Sequence, residues 1–421
     1  MPLGFYMIMA AQFFSALADN ALLVVAIFVL KDALAPDWQI PLLKLFFTIS
    51  YVLLAAFVGA LADSMAKRRV MLISNGIKVV GCALMFWHVH PLLAYAVVGL
   101  GAASYSPAKY GILTEYLPHR LLVVANGWIE GLTVGAIILG VLLGGLLIDP
   151  SLSARLLAID MPLVDTGLDT TVEISLMLVG LLYVLAGIFN LFIPDTGVPL
   201  KPLNSSPAAL IADFSHSFKG LWQDKLGQIS LAVTTLFWGA GATLQFIVID
   251  WADRALGMGL SQASKLQGVV AVGIAIGAVM AARRISLRAS VRVIPLGIAM
   301  GVLVPLMVLV SNLWLAVPLL VLIGACAGFF VVPMNALLQH RGHMLMGAGN
   351  SIAVQNFNEN LSILIMTGLY AALLAAGLSV YVVMILFGAF VAATMYAVRK
   401  WHHANQRRHD DVAQLDDGTI H

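Results

Sequence analysis

Apolar residues run along this chain in long blocks, and polar residues gather in the gaps between them. Blocks of about 20 or more predominantly apolar residues are long enough to cross a bilayer. They fall near 4–30, 42–62, 70–88, 91–110, 121–147, 173–193, 229–251, 266–283, 292–310, 313–338, 350–376 and 379–399. The pattern predicts an all-α membrane protein with 12 transmembrane helices. The first block reads as a membrane helix and not as a signal peptide. No Lys or Arg precedes Lys31, and the block is too long for the apolar part of such a leader.

Between the sixth and seventh blocks the pattern changes. Pro194, Pro199, Pro202 and Pro207 do not suit a continuous helix. The stretch that follows, "ALIADFSHSFKGLWQDK", repeats Leu210, Ile211, Phe214, Phe218, Leu221 and Trp222 at three- and four-residue spacing. That spacing predicts an amphipathic helix lying in the membrane interface. Six spans stand on either side. The expected organisation is a six-helix bundle over 1–195, a cytoplasmic linker over 196–228, a second six-helix bundle over 229–400 and a tail over 401–421.

Composition agrees. Of 421 residues 61% are hydrophobic and 10% charged, and the mean hydropathy is +0.96, far outside the range of a soluble domain. A net charge of +2 argues against a nucleic-acid partner. Lys and Arg are unevenly placed. Sixteen fall in the linker, the tail and the loops after even-numbered spans, against five on the other side. By the positive-inside rule both termini are cytoplasmic. The outer loop over 148–172 is acidic, with Asp149, Asp160, Asp165 and Asp169 against Arg155. Cys82 and Cys326 lie in apolar runs, one in each half, and read as small core residues. No metal-ligand spacing appears and no cofactor is expected.

The two halves resemble each other weakly at a spacing of about 220 residues, with Pro107 opposite Pro333. Two parallel six-helix repeats are the arrangement of major facilitator transporters. "GALADSMAKRR", residues 59–69, is similar to that superfamily's signature between helices 2 and 3, with Gly59, Asp63, Lys67, Arg68 and Arg69 filling it. Gly59 permits close helix approach. Asp63 can cap a helix or pair with a neighbouring basic group. By family analogy the cluster is a conformational latch that favours the outward-open state. The basic residues also read simply as topology-setting charges.

An ionisable group at bilayer depth costs roughly 2.5–3.5 kcal/mol on insertion scales. The spans nevertheless contain Asp19, Lys78, Lys109, Glu130 and Glu359, and Glu115 lies near the end of span 4. Asp19 needs a positive partner or a cationic substrate, and Lys78 and Lys109 are the intramembrane candidates for a structural pair. Asn126 and Glu130 are four apart on one helix face. In "GNSIAVQNFNENLS", Gln355 shares a face with Glu359, and Asn356 with Asn360. Such a helix lines a watery path or an interhelical hydrogen-bond network. Lys109 and Tyr110 follow the helix-kinking Pro107. That lysine reads either as a phosphate contact or as a side chain snorkelling to the interface.

Six stretches, "AQFFSALADNALL", "LADSMAKRRVMLISNGIKVVG", "GAASYSPAKYGILTE", "FWGAGATLQF", "GFFVVPMNALLQHRG" and "GAGNSIAVQNFNEN", resemble the bacterial lysophospholipid transporter family of that superfamily. The resemblance runs from span 1 to span 11. It implies a flippase in the bacterial inner membrane, working as a monomer. Lysophosphatidylethanolamine and lysophosphatidylglycerol would move from the outer to the cytoplasmic leaflet for reacylation. On the residues themselves, Asp19 and Asn20 are expected to meet ammonium or hydroxyl groups and Lys109 phosphate, with Lys78, Tyr110, Asn126, Glu130, Gln245, Gln355, Asn356 and Glu359 completing the polar headgroup site among membrane lipids. Gln245 stands where the family's span 7 motif is expected to carry a basic residue. Phosphate binding would then fall to Lys109, Lys78 or a hydroxyl. Some of the group are fused to a soluble acyltransferase and acyl-carrier-protein synthetase, which implies functional coupling to such a partner. This chain is expected to be the stand-alone form.

Two other readings stand beside this one. A proton-coupled exporter of small hydrophobic compounds would use Asp19, Glu130 or Glu359 as its proton site. A membrane enzyme would need a nucleophile–base constellation. None is found, since His88, His90, His340 and His343 read as interfacial side chains, and no phosphate-binding loop of the ATPase type appears.

Overall fold

The computed structural model describes residues 1–35, 39–149, 170–202, 206–258 and 260–408. Most of the acidic outer loop and the end of the tail lie outside these. The described residues form fourteen α-helices. In order they are α1 (Leu3–Asp32), α2 (Gln39–Leu53), α3 (Ala55–Ser64), α4 (Lys67–Phe86), α5 (Pro91–Tyr116), α6 (Leu122–Leu147) and α7 (Thr171–Leu191). Then follow α8 (Pro207–Gln223), α9 (Gly227–Leu256), α10 (Leu260–Arg284), α11 (Ile294–Leu306), α12 (Leu313–Met346), α13 (Ala348–Ala375) and α14 (Val380–Arg408).

Among the described residues, ten helical segments are long and apolar enough to cross a membrane, and eleven if α2 and α3 count as one broken span. The protein is therefore a multi-pass membrane protein. The twelfth expected span is α5, whose 26 residues are long enough but carry the polar stretch from Ser104 to Lys109. Span 2 is not one straight helix. It bends by 63° between α2 and α3. Leu54 leaves helical geometry there (φ −101°, ψ 2°), and its carbonyl accepts from Phe57 and Val58 to start α3. No Pro or Gly marks the break.

Local chemistry fixes several ends. Thr170 accepts from the backbone N–H of Glu173, and the Glu173 carboxylate accepts from that of Thr170, a reciprocal cap at the start of α7. Asn312 caps α12 through the N–H of Leu315. Gly257 ends α9 in the left-handed conformation that glycine adopts without strain (φ 62°).

By contacts the chain divides into two compact units. One holds Met1–Glu115 with Gly135–Asp213, the other Tyr116–Val134 with Phe214–His421. The first half of α6 thus belongs to the second unit, a division that the linker position alone does not give.

In the first unit α7 packs on α1 and α4. An apolar core of Leu22, Val25, Leu43, Cys82, Met85 and Val98 fills the part beyond Asp19. Close approach depends on glycine. A Cβ at Gly140 would stand 2.7 Å from Asn20 Cβ in α1, and one at Gly101 2.7 Å from both Lys78 Cγ and the Ser74 carbonyl.

In the second unit α9 packs on α13, α11 on α14, and α10 on α12. The last pair meets backbone to backbone. A Cβ at Gly277 would press on the Ala325 carbonyl, and one at Gly328 on that of Ile274. Small residues drive helix association where lipid offers no hydrophobic contrast. The apolar face of α8 is largely covered by protein. Phe214, Phe218, Leu221 and Trp222 pack with Leu231, Leu338, Val354 and Met346, while Ile211 remains exposed. Arg341 grips the Asp224 carboxylate through Nε, at 3.1 Å, and through Nη2, which anchors the end of the linker.

Candidate functional site

The first unit builds a polar network around Asp19, midway along α1. Lys78 of α4 donates from Nζ to Asp19 Oδ2 at 2.8 Å and to Ser15 Oγ at 2.9 Å. Tyr183 of α7 donates to Asp19 Oδ1, also at 2.8 Å. Ser15 Oγ–H donates to Asn75 Oδ1 at 2.8 Å. The ammonium also stands over the rings of Tyr105 and Tyr183, at 5.2 and 5.5 Å from their centroids. The Lys78 side chain is 2% exposed and that of Asp19 is 19% exposed. One side of the pair is therefore sealed, and the carboxylate side is partly open.

Of the two lysines that sequence offered to Asp19, the structure chooses Lys78. Asn20 is turned away into a bond with the Ala16 carbonyl of its own helix. Lys109 is buried and stacks over the ring of Tyr110 at 4.1 Å, one position further along α5.

The second unit builds its own network. Asn126 and Gln339 exchange two amide hydrogen bonds of 2.9 Å each, joining α6 to α12. One turn on, Glu130 accepts from Asn335 at 3.4 Å. Gln355 of α13 donates to Glu359 Oε1 at 2.7 Å and to Asn335 Oδ1 at 3.1 Å. Glu130, Gln355, Asn356 and Glu359 are all buried. The carbonyl of Asn356 accepts from the Asn360 side chain. Gln245 is half-buried on α9, and its carbonyl accepts from Gln267 of α10 at 2.8 Å.

The signature residues form a third cluster, at the end of the first unit that carries the loop between α3 and α4. Lys67 is buried between two carboxylates, 2.9 Å from Asp63 and 3.0 Å from Glu115. Lys201 reaches Asp63 at 3.7 Å, and its backbone N–H donates to the Asp63 carbonyl. Gly59 is buried in α3. Arg68 stands 3.5 Å from Asp195, and Arg69 is exposed.

Sequence reasoning missed Ser15, Asn75, Tyr183, Asn335 and Gln339. Asn335 and Gln339 stand four apart in one apolar run, the same signal that singled out Gln355 and Glu359. Tyr183 carries no such signal, because a lone tyrosine in an apolar run looks like any aromatic core residue. Among the described residues no cluster of His, Cys, Asp and Glu could hold a metal ion.

Comparison with known proteins agrees with this architecture. The family model of the Major Facilitator Superfamily matches residues 8–358. The lysophospholipid transporter LplT of Yersinia pestis (strain Pestoides F) is 42% identical over 377 residues, covering 89% of this chain and 88% of its own. LplT of Yersinia pseudotuberculosis serotype O:3 (strain YPIII) gives the same figures. Among solved structures, the transporter FucP in the outward conformation aligns with a TM-score of 0.73 at 15% identity, covering 95% of this chain and 98% of its own. A bacterial homologue of the iron transporter ferroportin in an outward-facing state aligns at 0.70 and 13% identity, covering 97% and 100%. At such identities these two speak to the fold alone. The chain belongs to the major facilitator superfamily and, within it, to the family of the lysophospholipid transporter LplT.

Proposed function

We propose that this chain is a lysophospholipid transporter of the bacterial inner membrane. It moves lysophosphatidylethanolamine and lysophosphatidylglycerol from the outer to the cytoplasmic leaflet, where they are reacylated. The family of named transporters to which it belongs supports this reading, and so does the physical problem. A lysolipid headgroup is costly to bring through hydrocarbon, whereas its single acyl chain is at home there. A carrier needs polar groups at mid-membrane depth for the head and can leave the tail in lipid.

The observation that carries the proposal is the Asp19–Lys78 pair with its tyrosine. Its two charges match those of a zwitterionic headgroup. An entering ammonium takes the place of Lys78 beside Asp19, and the phosphate takes that of Asp19 beside Lys78. With lysophosphatidylethanolamine the exchange leaves no charge unpaired in a low-dielectric site. Tyr183 and Ser15 supply hydroxyls to either arrangement. Lys109 is a further phosphate contact in this reading. The amides and carboxylates of the second unit solvate polar groups that pass them. Both termini face the cytoplasm, in line with the Lys and Arg bias.

The test is uptake of radiolabelled lysophosphatidylethanolamine by spheroplasts that lack their own transporter and express this chain. Uptake above the empty-vector level is expected. Well-inserted protein with no uptake would contradict the assignment.

A further inference from the structure

Near the basic end of the first unit, the last turn of α7 carries an amide with no evident purpose. Asn190 is 1% exposed. Neither its side-chain nitrogen nor its oxygen has a hydrogen-bond partner among the described residues. A buried polar group left so costs about 1–3 kcal/mol, and a leucine of similar size would avoid that cost. Asn190 lines a cavity of about 300 Å³ together with Arg68, Arg69, Leu72 and Leu191.

The other walls are informative. Arg68 makes two long contacts, 3.5 Å each, to the Ile193 carbonyl and to Asp195, which leaves guanidinium donors unused out of five. Arg69 is exposed and makes no ion pair among the described residues. Both arginines sit in the first turn of α4, the end of a helix that favours anions. Leu72 and Leu191 make the remaining wall apolar. Next to it Leu191 and Phe192 are 59% and 67% exposed, a surface suited to acyl chains.

We propose that this cavity binds the phosphate of an anionic phospholipid headgroup, at a site separate from the Asp19–Lys78 network. Arginine forks match phosphate oxygens. The Asn190 amide nitrogen donates to a phosphate oxygen, and its carbonyl accepts from a headgroup hydroxyl such as those of phosphatidylglycerol. The site completes the hydrogen bonding of Asn190 and requires no transport activity of the protein. It stands or falls independently of the lysolipid reading.

The experiment uses the full chain purified in a neutral detergent, with thermal unfolding followed as lipid is added. The probes are phosphatidylglycerol, phosphatidylcholine and inorganic phosphate. Phosphatidylglycerol is expected to raise the unfolding temperature in a saturable way, and the other two are not. Arg69→Ala, a change at an exposed position, should weaken the half-saturating phosphatidylglycerol concentration about tenfold, the value of one charge-assisted hydrogen bond. Asn190→Leu should unfold at a higher temperature without lipid and lose the lipid-dependent rise. An undiminished response to phosphatidylglycerol in Arg69→Ala would overturn the proposal. An equal rise with inorganic phosphate, or with phosphatidylcholine, would overturn its assignment to an anionic lipid.

Discussion

Lys78 Nζ lies 2.8 Å from Asp19 Oδ2, so that one ion pair ties α4 to α1 in the middle of the first unit. The pair is nearly sealed on the lysine side. Removing one partner leaves a buried charge without compensation, at a cost of about 3–5 kcal/mol. Asp19→Ala should therefore lower the unfolding temperature markedly, while the double change Asp19→Ala with Lys78→Met should recover much of the loss. Additive losses in this cycle would show that the two charges do not interact.

Gly101 lets α5 approach the same lysine. A Cβ there would stand 2.7 Å from Lys78 Cγ and from the Ser74 carbonyl. Gly101→Ala changes no charge, yet it should shift Lys78 away from Asp19. The expected outcome is reduced lysolipid uptake in membranes that contain normal amounts of protein. Unchanged uptake would mean that the pair tolerates displacement.

Asn126 and Gln339 exchange one hydrogen bond in each direction across α6 and α12, and Asn126 also donates to the Leu122 carbonyl. Asn126→Leu leaves a buried amide on Gln339 and should cost about 1–3 kcal/mol. Asn126→Leu with Gln339→Leu leaves none, and its unfolding temperature should return towards that of the parent. If the double variant is the least stable of the series, the network does more than satisfy itself.

The linker helix α8 offers a contrast along one apolar face. Leu221 is fully buried and Ile211 is 51% exposed. Leu221→Ala should cost about 2–5 kcal/mol in thermal or detergent unfolding. Ile211→Ala should leave the unfolding temperature in detergent close to that of the parent. Equal losses would mean that both ends of the face are covered alike.

Much of the architecture was legible in the sequence because lipid permits few alternatives. Every span expected from the apolar pattern falls on helical segments, the second on two of them, and several charges inside spans stood out against their surroundings, although Lys44 and Asp250 near span ends did not. Asp19, Lys78, Glu130 and Glu359 were found for that reason. Neutral polar partners were not. Tyr183 and Ser15 blend into apolar runs, although they hold Asp19 and Lys78 in place. The break at Leu54 has no Pro or Gly to announce it. Periodicity also marked the apolar face of α8 and led to the expectation of a helix lying in the membrane interface, whereas protein packs on most of that face. Lipid and protein ask for the same residues, and only the packing of Phe214, Phe218, Leu221 and Trp222 distinguishes them.

The central claim is that Asp19 and Lys78 receive the headgroup of a lysolipid. Uptake of lysophosphatidylethanolamine by spheroplasts, compared between the parent chain, Asp19→Asn and Lys78→Met, tests it most directly. With insertion and amount matched by immunoblot, the account predicts robust uptake by the parent and loss of more than tenfold in each variant. Uptake by the parent that persists in both variants would contradict it, and the pair would then be a structural tie between α1 and α4.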